Sequence, residues 1–575
     1  MKNSVLTVIL LLLGFLASAQ TLQQRYLNAK ELYREGKFGL ARGAFQSISA
    51  ENNNNPFVEY ASYFYALSSY QEGYHAHAKD MLLQMKSRFA NWEKIDDVNY
   101  WLAKIEFEAK NYEVALKYAN SISDKTVRQD ARNMKIHFLN QINDIDSLVE
   151  ILKSNPTDSV TGRIIADKIH EQPFSQRDTQ LLNDLVKRFR FNKNKYEIAI
   201  PEKSAKKGEY KVAVLLPFMY KEFSGSSANR KNFVYELYEG IKLAGKDLNS
   251  RGANIKLYAY DTRKDSSYTR QLLAMDELKG MDLIIGPISS EAIDVASTFS
   301  YSYRINMINP VSTNSQAIGR NPYSFLLLPS LETQAKKAAE FAIENFRGNP
   351  TSLILYGESQ KDSILAHNYR KTLLDNGFSI FGMRKVRKQE EKNLFTLLTN
   401  TKTSERNDTK AELVIPSDTI GHIYVASDSD DEMIATYLIS ALETRSEYIT
   451  IIGHEEWLEY SSIVPEQLER LQVHMVAPTF INYKSSQYKQ FREKYLSETY
   501  SLPTKFSGLG YDMMMLFGNF LQQYGVHFQV NFDDAGFKNG IIFPGYLYDT
   551  NQDNQYVPII KFIDSEVENV NQPSR

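Results

Sequence analysis

From Leu22 onwards, apolar and small residues return at helical spacing, and the pattern itself repeats every 37 positions. Tyr26, Tyr63 and Tyr100 share one phase. Ala29, Ala66 and Ala103 share a second, and Ala41, Ala78 and Ala115 a third. Tyr33, Tyr70 and Phe107 keep an aromatic in step. Gly36 and Gly73 share a phase that Lys110 breaks. The stretches "REGKF", "QEGYH" and "EAKNY" read as turns between the two helices of each unit. Small alanines let paired helices approach, and the aromatics fill the space between pairs. From Asp124 to about Arg190 helical patterning goes on out of register, which predicts capping helices. Residues 20–190 are therefore expected to form a helical repeat domain. His75 and His77 lie two apart on a helix and point away from each other, so they do not predict a metal pair.

Residues 191–209 are polar, lysine-rich and broken by Pro201, the pattern of an interdomain linker. Beyond it the period changes. "YKVAVLLPF" is a continuous apolar strand stopped by Pro217. A helix follows with Val234, Leu237, Ile241, Ala244 and Leu248 on one face, closed by Gly252. "NIKLYAYD", "MDLIIG", "RINMINP", "TSLILYG", "GHIYVAS", "YITIIG" and "VHMVAP" read as further strands, with amphipathic helices between most of them. Near-continuous apolar strands alternating with helices predict parallel sheets covered on both faces, with right-handed crossovers. In such sheets ligands sit beyond the carboxyl ends of strands, near helix N-termini. "DLIIGPISSEAIDVAS", Asp282–Ser297, is such a place: a buried strand, a Gly-Pro stop, two serines and a helix.

Composition changes this picture little. Apolar residues are 43% and charged residues 24% of the 575, an ordinary globular balance. The net charge of −2 gives no basic excess for nucleic acid. The N-terminus changes it more. Lys2, an apolar run from Val5 to Leu16 and Ala17-Ser18-Ala19 make a secretory signal peptide cleaved after Ala19, with a retained anchor as the other reading. The chain has no cysteine, which excludes disulfides, thiolate metal sites, cysteine nucleophiles and lipid attachment at the cleavage site. A periplasmic or secreted chain without a membrane span is expected.

The repeats, with Ala29, Phe38 and Ala41 in a small–aromatic–small pattern, resemble tetratricopeptide repeats, although their period is 37 rather than 34. Residues 210–575 resemble the type I periplasmic binding proteins, the branched-chain amino-acid receptor family. The motifs are "EGIKLAGKDLN", the strand ending in Asp261, "IIGPISS", "INPVST", "LPSLETQAKKAAEFA" and "FSGLGYDMMMLF", in the family's order. The resemblance implies two α/β lobes joined by three crossings, placed near Leu328-Pro329, Ile452-Gly453 and Ala477-Pro478, with a cleft between them. Helical repeats followed by such a domain are similar to the lipoprotein activators of penicillin-binding proteins, although the lipobox cysteine is missing.

Carried over by position, Ser290 and Thr313 match the family's hydroxyl contacts to an amino acid, and Glu455 resembles the acid that holds its ammonium. Ser289 and Ser290, at a helix start, are also suited to receive an anionic group. Helix capping explains both serines equally well, and Glu291 in the first turn opposes an anion. Asp261 reads as a structural cap. The tyrosine that the family places after "LILYG" is absent. No H-E-x-x-H, G-x-S-x-G or phosphate loop is found. The small polar stretch Ser224–Arg230 reads as a loop. The acids of Ser427–Met433 read as a solvated helix start rather than a metal site, and Met513–Met515 as core.

The expectation is a non-catalytic binding protein with no cofactor and no metal. Its cleft takes a small polar ligand such as an amino acid or peptide, and its repeats take an envelope protein partner. The alternative is a regulator or activator of peptidoglycan synthesis with a vestigial cleft used for protein contact.

Overall fold

A computed structural model describes residues 21–50, 55–173, 177–196, 203–220, 233–388, 391–399, 418–427, 432–445, 448–549 and 552–573. The signal-peptide reading, the Ser224–Arg230 loop and most of the acidic stretch after Ser427 lie outside them. The chain divides into two compact units. One runs to Glu171 and takes in Asp178–Glu197; the other comprises Gln172–Arg177 and Ile198–Arg575.

The first unit is an array of helical hairpins. α1 (Leu22–Arg34) pairs with α2 (Phe38–Ser49), α3 (Val58–Gln71) with α4 (His75–Arg88), and α5 (Ile95–Glu108) with α6 (Tyr112–Asn120). All six phase-locked alanines, Ala29, Ala66, Ala103, Ala41, Ala78 and Ala115, are fully buried at 0% exposure, because a larger side chain there would push paired helices apart. Tyr26 and Tyr63 pack beside them, Tyr26 stacked on Phe57 at 4.8 Å. The hairpin turns repeat atom for atom. Gly36, Gly73 and Lys110 all take left-handed backbone, at φ 75°, 83° and 62°. The following amide closes the helix end in each: Lys37 N to Leu32 O, Tyr74 N to Ser69 O and Asn111 N to Glu106 O, all at 2.9 Å. The lysine that breaks the glycine phase therefore holds the same strained geometry.

The expected capping region contains four more helices, α7 (Lys125–Asn140), α8 (Ile145–Ser154), α9 (Ser159–Glu171) and α10 (Thr179–Phe189), with α9 packed against the other three. The register slips because α6 has only 9 residues, so the next helix begins early. His75 lies edge-on to Tyr70 and His77 to Tyr74.

The second unit has the two α/β lobes expected. Lobe 1 is a parallel sheet of order β2-β1-β3-β4-β5, built from β1 (Tyr210–Leu216), β2 (Ile255–Asp261), β3 (Leu283–Ile285), β4 (Asn306–Asn309) and β5 (Ser324–Leu326). Its helices include α11 (Phe233–Ser250), α12 (Ser266–Leu273) and α13 (Ser290–Tyr303). Lobe 2 has the order β14-β13-β10-β9-β8-β6-β7. Its parallel part is β6 (Thr351–Tyr356), β7 (Ser379–Lys385), β8 (His422–Ala426), β9 (Thr450–His454) and β10 (His474–Val476). An antiparallel hairpin from the chain's end, β13 (Ile559–Ile563) and β14 (Glu566–Asn569), completes it. Among its helices are α14 (Leu331–Asn345), α15 (Gln360–Asp375), α16 (Glu391–Thr399), α17 (Glu432–Thr444) and the short α18 (Pro465–Arg470).

After β10 the chain returns to lobe 1 with α19 (Ser486–Thr499) and α20 (Lys505–Tyr524). Helices α11 and α20 touch backbone to backbone. A Cβ on Gly240 would sit 2.0 Å from Ser507 O, and one on Gly510 2.0 Å from Leu237 O. Met513 and Met514 are fully buried in this core, as their spacing predicts.

Two of the three crossings fall near the expected places, after Leu328 and after Ala477. The third does not. Ile452-Gly453 lies inside β9, whose neighbours β8 and β10 belong to the same sheet. The chain instead returns to lobe 2 through residues 552–556, a segment with no sequence signature of its own. It is zipped to the first crossing: Leu326 N donates to Gln552 O at 2.9 Å, and the buried Asp553 accepts from Ser330 N (3.1 Å) and Thr333 Oγ1 (2.6 Å).

Candidate functional site

The strand ends of the two lobes face each other across a cleft of about 1470 Å³. Lobe 1 and its returning segments contribute Thr313, Leu328, Lys505 and the stretch 539–543. Lobe 2 contributes Lys361, Asp362, Ser427, His454, Glu455 and Glu456, and Thr479 lies just past the crossing after Ala477. This is where parallel α/β sheets place their ligands, because strand ends and helix starts converge there.

Of the four residues singled out from sequence, the cleft brings Thr313 and Glu455 together and leaves Ser289 and Ser290 outside its lining. Ser289 is the N-cap of α13, with extended backbone at φ −86°, yet its side chain makes no capping hydrogen bond. Its hydroxyl is enclosed and finds no partner among the described residues. Ser290 opens the helix and is exposed. Ser289 thus does not make the capping bond, and neither serine lines this cleft. Asp261 is the structural tie that its position predicts: its carboxylate accepts from the amides of Met219 (3.1 Å), Tyr220 (3.4 Å) and Arg263 (3.0 Å).

Glu455 opens the short 3₁₀ turn after β9. Its Oε1 accepts both the amide (3.0 Å) and the hydroxyl (2.7 Å) of Thr479. Burial pushes its carboxyl up to about 7. The Thr479 bonds oppose that rise, the neighbouring Glu456 adds to it, and Lys505 on the other lobe opposes it. A carboxyl poised near neutrality thus feels, more weakly, a cation of the facing lobe. The arrangement can accept a ligand cation as a carboxylate or donate a hydrogen bond as an acid.

Sequence reasoning missed Lys361, Asp362, His454, Thr479 and Lys505. Lys361 and Asp362 sit in the first turn of α15, after the strand where the family's tyrosine was sought; Asp362 and Ser359 cap each other there at 3.0 and 3.1 Å. Their signal was the capping pair Ser-x-x-Asp. His454 ends β9, where Tyr424 Oη lies 3.3 Å from its Nε2. Glu432, at the described end of the acidic stretch, accepts from Ser462 N at 2.9 Å, which fits the solvated helix start. Among the described residues no group of three or more His, Asp and Glu could hold a metal ion. No helix of the described residues is long and apolar enough to cross a membrane.

The family described as "Receptor family ligand binding region" matches residues 236–543. The chain belongs to this family. The match runs from α11 to the loop 539–543, so it contains both lobes' parallel strands β2–β10 and the cleft residues from Thr313 to Lys505. No curated protein matches the chain. Among solved structures, a substrate-binding protein of an ABC transporter from Desulfitobacterium hafniense, in complex with Leu, is 17% identical, with 63% of this chain and 100% of that one covered and a TM-score of 0.42. LivJ from Streptococcus pneumoniae, in complex with isoleucine, is 15% identical, over 63% of this chain and 98% of that one, at a TM-score of 0.38. Full-length LpoA from Haemophilus influenzae is 14% identical, over 97% of both chains, at a TM-score of 0.42.

Proposed function

We propose that the chain is an exported, non-catalytic binding protein divided into a signal peptide (1–19), a repeat domain (20–190), a linker (191–209) and a type I binding domain (210–575). The cleft takes a small polar ligand bearing an ammonium group, such as an amino acid or short peptide. Glu455 pairs with the ammonium and Thr313 bonds the ligand's polar end from the opposite lobe. The observation that carries this reading is the Glu455 carboxylate, held by Thr479 at 2.7 Å, in a cleft lined by both lobes. A ligand cation restores the charge that burial disfavours, so binding lowers the carboxyl's affinity for its proton. A thermal-shift screen of amino acids, short peptides and sugars tests it. A ligand at 100-fold above its dissociation constant stabilises by about 2.7 kcal/mol, and Glu455→Gln abolishes that shift. A screen without any shift overturns it.

The repeats then dock a protein partner in the envelope. Their support is a groove of about 430 Å³ between α5 and α7, lined by Tyr100, Lys104, Asp130, Met134, His137 and Phe138. Mixed charge around aromatic side chains suits a peptide segment. Capture of a specific partner from envelope extracts by the full chain, lost with Lys104→Glu, is the expected result.

The second reading, a regulator of peptidoglycan synthesis whose cleft serves protein contact, is favoured by the cleft's rim. Tyr483 is 62% and Leu458 40% exposed there. Exposed apolar groups at a cleft mouth suit a protein surface more than a solute. A partner whose capture depends on Tyr483 supports that reading against the first.

A further inference from the structure

A second cavity lies on lobe 1, away from Thr313 and Glu455. Its volume is about 540 Å³, within the range of small-molecule sites. Its apolar floor is Met515, Leu516 and Phe520 on one face of α20, with Ile541 opposite. All three floor residues of α20 are buried. Arg251, just past the end of α11, and Lys538, on the short hairpin of β11 (Lys538–Asn539) and β12 (Gly545–Tyr546), stand at its walls. Neither cation makes an ion pair with any described residue, whereas many other lysines of this unit do.

The only carboxylate among the lining residues is Asp512, and its acceptor capacity is already used. It takes the amides of Ile541 (3.2 Å), Ile542 (3.1 Å) and Phe543 (3.0 Å) and the hydroxyl of Tyr546 (3.3 Å). The remaining polar lining is Asn and Gln amide. The electrostatic balance of the cavity is thus two unmatched cations over an apolar floor, with no free acid to answer them.

We propose that this cavity is a second ligand site, for a small organic anion with an apolar body: a carboxylate set between Arg251 and Lys538 and a hydrocarbon or aromatic part on Met515, Leu516 and Phe520. The site also touches the first one. Residues 539–541 line both the cleft and this cavity, so they form one wall between the two. That wall is stiff. A Cβ on Gly540 would sit 2.2 Å from Phe543 O and 2.8 Å from Asp512 Oδ2, and Asp512 fixes three successive amides beyond it. An occupant of the second cavity therefore lies against backbone that the cleft shares.

Calorimetric titration of the full chain with hydrocinnamate, at low ionic strength, tests the proposal. Saturable one-to-one binding is expected, weakened about tenfold by Arg251→Gln or Lys538→Gln and lost in the double variant. The neutral amide hydrocinnamide should bind about tenfold more weakly than the acid. Glu455→Gln, in the cleft, should leave the affinity unchanged. Asn519→Trp, at an exposed lining position, should block binding by filling the cavity without touching either cation. Absence of saturation, equal binding of acid and amide, retention in the double variant, or loss in Glu455→Gln would each overturn the assignment.

Discussion

The three hairpin turns of the repeat array hold one backbone geometry with two residue types, and that asymmetry makes a sharp test. Gly36, Gly73 and Lys110 each sit at positive φ, and each is followed by an amide that closes the helix at 2.9 Å. A side chain in the left-handed region costs about 1–2 kcal/mol through the clash of its Cβ with the carbonyl. Glycine escapes that cost but gives up about 0.5–1 kcal/mol more backbone entropy on folding. The net advantage of glycine at such a turn is therefore about 0.5–1 kcal/mol. Packing does not alter it, since a Cβ at Gly36 or Gly73 would meet nothing within 4 Å and Lys110 is exposed. Lys110→Gly should stabilise the α5–α6 hairpin by that amount, and Gly73→Ala should destabilise α3–α4 equally. The chain has two units, so a global melting point mixes them. Native-state hydrogen exchange at Asn111 N and Tyr74 N reads each turn by itself. Exchange at Asn111 should slow about threefold in Lys110→Gly, and exchange at Tyr74 should quicken about threefold in Gly73→Ala. Faster exchange at Asn111 with glycine in place, or no response at Tyr74, would show that these turns are not set by the left-handed cost.

Other consequences are direct. Glu455→Gln should gain stability relative to the native chain as pH rises from 4.5 to about 7, by about 1–2 kcal/mol after solvent screening, because a carboxyl raised by burial loses its folded-state advantage once the unfolded chain ionises. Urea midpoints across that window check it, and a constant difference refutes it. His474, buried between Phe341 and Phe346, is pushed by burial down to about 4. The unfolded chain takes up a proton below 6.5 and the folded one does not, so the cost of His474→Gln should shrink steadily between pH 6.5 and 4. Ala66→Leu should destabilise the repeat unit by about 1–3 kcal/mol through overpacking, measured by hydrogen exchange in α3 and α4, while Leu27→Ser at a 49% exposed site should be nearly neutral.

The fold was legible where one physical constraint acts on many residues at once. The alanine phases predicted the helix pairs because close helix contact excludes larger side chains at every repeat. Apolar runs such as "LIIG" and "VAVLL" predicted parallel strands because a sheet covered on both faces admits little else. What escaped was set by single contacts. The return to lobe 2 at residues 552–556 depends on Asp553 meeting Ser330 and Thr333, partners more than 200 positions away, and no period announces it. Ile452-Gly453 was expected as a crossing only because the family resemblance implied one there. Here the glycine makes room for Trp457, whose ring a Cβ would meet at 2.7 Å. The β13–β14 hairpin was missed because "IIKFI" and "EVEN" are short and alternate weakly.

The site was legible only in part for a related reason. Thr313 and Glu455 follow strands whose ends the topology fixes, so their place in the cleft comes with the fold. Ser289 and Ser290 also follow a strand, yet a hydroxyl at a helix start serves a ligand only if neighbouring elements leave space before it, and that depends on contacts the local pattern does not carry. Lys505 could not be found locally at all. It acts on Glu455 from a helix of the other lobe, and its effect exists only because the two lobes face each other. The rise of the Glu455 carboxyl, driven by burial, is thus opposed in part by a charge that only the facing lobe supplies. With the carboxyl at about 7, both states are populated near neutral pH. A ligand cation brought to Glu455 favours the carboxylate and releases its proton.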